Sequence, residues 1–245
     1  MKRWLLLLWL LTPLPVIVWH FGPGQQWLAR DRAWTLIGQA QQAESKKNWA
    51  QAESFFHEAA AKLGNTDPTA RIRLDLALVR EHYRQGGAVE AIDGADRILS
   101  DRQFTEQPAD FQREARELAG RIHYYAAWVM RLEGAKHELW MEEAELARQN
   151  YRLLTENSFA AGQKQFATTQ QTNLESSVRL QRMSMTELMA RPLPEEGRQM
   201  AGQGLSEQMA KRRGQRGDKP GVGENDEGPP ANGAGTTRFP GGPGS

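Results

Sequence analysis

Between Ala33 and Glu156 apolar side chains return every three or four residues. Almost nowhere do they alternate at the period of two that a half-buried strand needs. The same stretch is rich in Ala, Leu, Glu, Gln and Arg, which are good helix formers, so the expected fold is all-α. Within it a triplet recurs: an alanine, an apolar residue four positions on, and a small or apolar residue three further. It stands as Ala52, Phe56, Ala59, then as Ala91, Ala95, Ile98, and again as Ala147, Tyr151, Leu154. Leu36, Ala40 and Ala43 precede the first copy, followed by the turn Lys46-Lys47-Asn48. Leu78 and Val79 precede the second, followed by Tyr83-Arg84-Gln85-Gly86-Gly87. A recurring helix, turn and helix implies units that bury their apolar faces by stacking on one another.

Asn48 to Gly64 (NWAQAESFFHEAAAKLG) resembles the second helix of a tetratricopeptide repeat. Glu81 to Leu99 resembles the end of a first helix, the turn and a second helix of the same repeat. The resemblance implies a helix-turn-helix solenoid that binds protein partners in a concave groove. It covers about half the chain. The proline that usually closes such a repeat is replaced by Gly64 in one copy and Gln103 in the other, and Ala95 stands where an aromatic is common. The copies lie 39 positions apart, which places an insertion at Gly64-Asn65-Thr66-Asp67-Pro68. A generic helical bundle is the alternative.

A third block opens near Pro108. Phe111, Ala115, Leu118, Ile122, Tyr125, Val129 and Leu132 are spaced alternately by four and three, the pattern of a long helix with a coiled-coil-like seam. Gly134 predicts a break between 134 and 140, so this block reads as two helices of a degenerate third repeat. Residues 159–190 read as a more polar helix, either a cap or a linker.

Two ends differ from this material. Trp4 to Phe21 carries no formal charge and follows Lys2-Arg3, which fits a short membrane anchor with the bulk of the chain outside the cytoplasm. A cleaved signal peptide and a buried helix are the competing readings. Thirteen of the 23 glycines lie at or after Gly197, so residues 191–245 read as a disordered Gly/Pro-rich tail. The expected divisions are therefore 1–24 (anchor), 25–158 (repeats), 159–190 (cap or linker) and 191–245 (tail).

Chemistry is sparse. The absence of cysteine removes thiolate nucleophiles and thiolate metal sites. A net charge of +1 argues against a dedicated nucleic-acid binder. No phosphate loop or nucleophile elbow occurs, and no two histidines of residues 25–190 stand at metal-ligand spacing. No enzyme activity, cofactor or metal is expected. One site-like pattern remains. Arg73, Arg80 and Arg84 project within about 40° of one another on a helix, with Leu76 and Tyr83 beside them. Trp34, Ile37 and Gln41 hold the matching strip of the preceding repeat. Guanidiniums in a row suit an acidic peptide or a C-terminal carboxylate; an ordinary face paired with local acids such as Asp75 or Glu81 is the plainer reading.

The expected function is a single-pass, membrane-anchored adaptor in the cell envelope that binds another protein through its groove. Residues 4–21 would hold it in the membrane, with no nucleic-acid partner. Self-association through the 111–132 seam is the alternative, making the chain a structural or assembly factor.

Overall fold

A computed structural model describes residues 23–64 and 67–217. Among the described residues ten α-helices follow one another: α1 (Pro23–Ser45), α2 (Trp49–Leu63), α3 (Pro68–Gln85), α4 (Ala88–Ser100), α5 (Ala109–Leu132), α6 (His137–Ala160), α7 (Lys164–Arg182), α8 (Met185–Met189), α9 (Glu195–Arg198) and α10 (Leu205–Gly217). Among the described residues there is no strand. No described helix is long and apolar enough to cross a membrane. The proposed anchor, residues 4–21, lies outside the described residues.

Local chemistry sets the breaks. Lys47 turns the chain with a positive φ of 56°, and the Asn48 side chain caps α2 by accepting from the Gln51 backbone N–H. The Asp67 side chain accepts from the Ala70 backbone N–H at 2.9 Å, with Pro68 in the first turn of α3. Gly86 ends α3 in the left-handed region at φ 84°. Gly134, at φ 73°, separates α5 from α6 within the expected interval.

Each helix from α1 to α6 packs on the next, and α3 also touches α5. Consecutive packed helices of this kind are compatible with a helical repeat fold. All nine residues of the three recurring triplets are buried. Close approach within a pair uses glycine. A Cβ on Gly94 of α4 would collide with the Val79 side chain of α3, and one on Gly120 of α5 would lie 2.9–3.2 Å from the Tyr151 ring of α6.

The apolar interior has two main parts, and α3 is the wall between them. Ala70, Leu74 and Leu78 face α1 and α2, packing with Ala40, Ala52, Phe56 and Leu63. Ile72, Leu76, Val79 and Tyr83 face the other way into a larger core with α4, α5 and the C-terminal helices. Tyr151, Leu154 and Phe166 form a smaller cluster where α7 covers α6. The seam from Phe111 to Val129 is spent inside the chain: Phe111, Ala115, Leu118, Ile122 and Val129 are all buried.

The expected boundary of disorder at 191 is corrected. Residues 191–217 return across the fold, with Leu193 packed on the core and Met200 and Leu205 fully buried within it. Glu133 accepts from the backbone N–H groups of Leu205 and Ser206, the latter at 2.7 Å. It thereby places a carboxylate on the positive end of α10. Arg212 pairs with Asp93 of α4, and Arg213 with Glu142 of α6. Four apolar side chains spread over these residues, Leu193, Met200, Leu205 and Met209, suffice because a core surface already exists for them. The rest of the proposed tail, 218–245, lies outside the described residues.

Candidate functional site

The three first helices of the successive pairs, α1, α3 and α5, are linked by side chains along one face. Glu44 of α1 reaches Arg84 of α3 at 2.7 Å and Arg80 at 4.0 Å. Arg80 then pairs with Glu114 of α5. Further along, the Arg73 guanidinium lies 5.7 Å from the Phe111 ring centroid. Arg84 also accepts company from two sides: it donates to Glu81 at 2.7 Å and stands 4.5 Å over the Trp49 ring. The arginine stripe is therefore largely an internal ladder. Its carboxylates are only partly those considered from sequence: Glu81 is one, whereas Asp75 pairs with Arg71 instead.

Burial sorts the remaining candidates. Leu76 and Tyr83 belong to the larger core, so the apolar flank of the stripe is packing surface at those positions. Tyr83 keeps an edge on a cleft of about 490 Å³ lined by Arg80, Arg84, Glu114, Glu117, Leu118 and Arg121. The backbone at Gln199 closes one end by lying against Gly86. Ile37 is half-buried. Trp34 is open, with 52% of its surface exposed, and Trp27, one heptad earlier on α1, is 59% exposed. Leu28 beside it is 46% exposed.

Electrostatics of the ladder centre on Glu81, which has no exposed surface. Burial raises its pKa first, a hydrogen bond shared with Glu44 raises it further, and Arg84 opposes both; the result is about 7. Glu81 and Glu44 both pair with the one Arg84 guanidinium, each at 2.7 Å.

A second polar cluster lies inside the larger core. His123 of α5 is fully buried. Its Nδ1 is 2.6 Å from Glu143 of α6, and its Nε2 is 3.4 Å from Asp96 of α4, a charge contact without the alignment of a hydrogen bond. Burial alone would lower its pKa, but the two carboxylates outweigh that and raise it to about 9. Nearby, Arg131 donates to the backbone carbonyls of Leu180 and Met183, the latter at 2.7 Å, and lies 4.3 Å over the Trp140 ring. It satisfies carbonyls at the end of α7.

Sequence reasoning found the stripe and missed its partners. The period itself held a clue: Glu44 and Arg84 stand 40 positions apart, close to the 39 that separate the repeat copies.

No protein-family model matches the chain, no curated protein matches it, and no solved structure matches it.

Proposed function

We propose that the chain is a tetratricopeptide-like adaptor, tethered in a membrane by residues 4–21, whose helical repeats bind a partner protein in the cell envelope. The observation that carries this reading is the open aromatic strip of α1. Trp27 and Trp34 lie on one helix face at a seven-residue interval, more than half exposed, with Leu28 beside Trp27. Large aromatics left open together mark contact surfaces, because water contact with them is costly and a partner relieves it. Tryptophan also dominates binding energy where it enters a partner's pocket.

The strip belongs to the same helix that carries Glu44, the residue that joins the ladder to α3. A bound segment running along α1 would meet Arg73 and then the cleft at Arg80 and Arg121. The guanidiniums there already hold carboxylates, so an acidic group on the partner would compete with Glu44, Glu114 and Glu117 for them. Apolar contact on α1 is accordingly the main source of affinity, and the arginines set orientation. Self-association through the 111–132 seam is the weaker reading, because those side chains would first have to leave the core.

The test is partner capture by full-length protein in detergent from solubilised envelope extract. Trp27→Ala/Trp34→Ala should lose the partner at unchanged helicity, since neither ring supports the core. Arg73→Ala should weaken capture less. Full capture by the tryptophan variant rejects the α1 strip as the binding surface.

A further inference from the structure

Glu53 and His57 stand one turn apart on the same face of α2, and the packing of α3 against α2 brings His82 to them. Glu53 Oε1 is 3.6 Å from His57 Nε2 and 3.6 Å from His82 Nδ1. One donor atom from each of the three residues falls within 4.8 Å of the others. We propose that Glu53, His57 and His82 form a binding site for one divalent transition-metal ion of the zinc, nickel or copper class.

The distances are close to what an ion requires. Bonds of about 2.0–2.1 Å arranged tetrahedrally put neighbouring donor atoms roughly 3.3–3.4 Å apart. Small side-chain rotations bring the present 3.6 Å separations to that value. The imidazoles are not stacked: their ring centroids are 6.2 Å apart and their planes are inclined at 65°. Their nitrogens therefore converge on Glu53 without the rings colliding.

The carboxylate is held for the purpose. Gln85 donates its side-chain amide to Glu53 Oε2 at 2.5 Å, and the same amide is 3.3 Å from the Glu81 backbone carbonyl. Oε2 is thus occupied and Oε1 faces the two imidazoles, which is the role of an outer-shell residue at a metal centre. Two imidazoles and one carboxylate select borderline transition metals over calcium or magnesium, which take oxygen ligands. Glu53 and His82 keep about a quarter of their side-chain surface exposed and His57 more than half. The ion has an entry path and room for water at its remaining positions.

The surroundings favour a cation. A recess of about 470 Å³ next to His57 and His82 is lined by Asp75, Glu90, Asp93 and Asp101 against Arg71 and Arg97. His82 lies about 200° around α3 from Arg80, so this site and the cleft occupy opposite sides of that helix. A bound ion would tie the first helical pair to the second, independently of any partner held on α1.

The experiment uses full-length protein in detergent, stripped with chelator and titrated near neutral pH with Zn²⁺ by calorimetry and with Co²⁺ by visible absorption. One ion per chain and the absorption bands of a low-coordinate cobalt–histidine centre are expected. His57→Ala and His82→Ala should each lower affinity by more than the roughly 10–100-fold typical of losing an outer-shell residue. Gln85→Ala should fall within that range, and His137→Ala should change nothing. Zn²⁺ should raise the thermal midpoint of wild type and leave that of His57→Ala, an exposed substitution, where it was. Absence of stoichiometric binding, or equal affinity in wild type and both histidine variants, overturns the site.

Discussion

His123 has the most consequential surroundings of any single residue. Held between Glu143 and Asp96, it stays protonated in the folded chain up to about pH 9, whereas an unfolded histidine releases its proton near 6.5. The fold therefore binds this proton more tightly than the unfolded chain does. The resulting stability is fully present below pH 6.5 and is lost as pH rises from there through 9. Its size is on the order of 3 kcal/mol, at about 1.4 kcal/mol per tenfold difference in proton affinity. NMR titration should show one imidazole changing near pH 9, and denaturant midpoints should fall across that window. Asp96→Asn, at a half-exposed partner, should move the titration down and flatten the fall. A His123 imidazole that titrates near 6.5 in the folded state would contradict the geometry. Glu81 acts in the neighbouring window: its raised pKa makes the fold lose stability between about pH 4.5 and 7. Glu81→Gln should remove that slope alone.

At the scale of helices, the periodicity was legible because each second helix buries an alanine-led apolar stripe at the same spacing. The triplets at Ala52, Ala91 and Ala147 therefore identified α2, α4 and α6 correctly. Breaks at Lys47, Gly86 and Gly134 were legible because backbone chemistry alone demands them. What was not legible depended on tertiary contact. His57 and His82 are 25 residues apart, with no local pattern to join them. The C-terminal strap was hidden because its four apolar residues are diluted by glycine and proline, and only the core surface under α10 makes them sufficient. Glycines give a paired test of the packing. At Gly120 a methyl group would press the buried Tyr151 ring. Gly120→Ala should therefore destabilise by about 1–3 kcal/mol despite better helix propensity. At exposed Gly38 nothing lies within 4 Å, so Gly38→Ala should stabilise by roughly 0.5–1 kcal/mol. Thermal or denaturant unfolding of the two variants beside wild type measures both; stabilisation at both positions would mean the α5–α6 approach is looser than described.

The whole molecule is two cores with one shared helix. The α1–α2 side rests on a small interior made mostly of alanine, with Phe56 and Leu63 as its larger members. The α4–α6 side is larger and is crossed by α10. Local stability follows buried contact. Amide exchange should thus be faster in 27–63 than in 111–132, and 205–212 should be protected along with α5. Exchange of 205–212 at the rate of a free peptide would show that the strap does not hold. The strap also decides where the polypeptide departs. After Gly217 the chain sets out from beside α4 and α6, near Asp93 and Glu142, and not from the far edge beyond α7. A reporter or affinity handle fused directly after Gly217 would thus begin over the middle of the fold, away from the α1 tryptophans and the outer surface of α7.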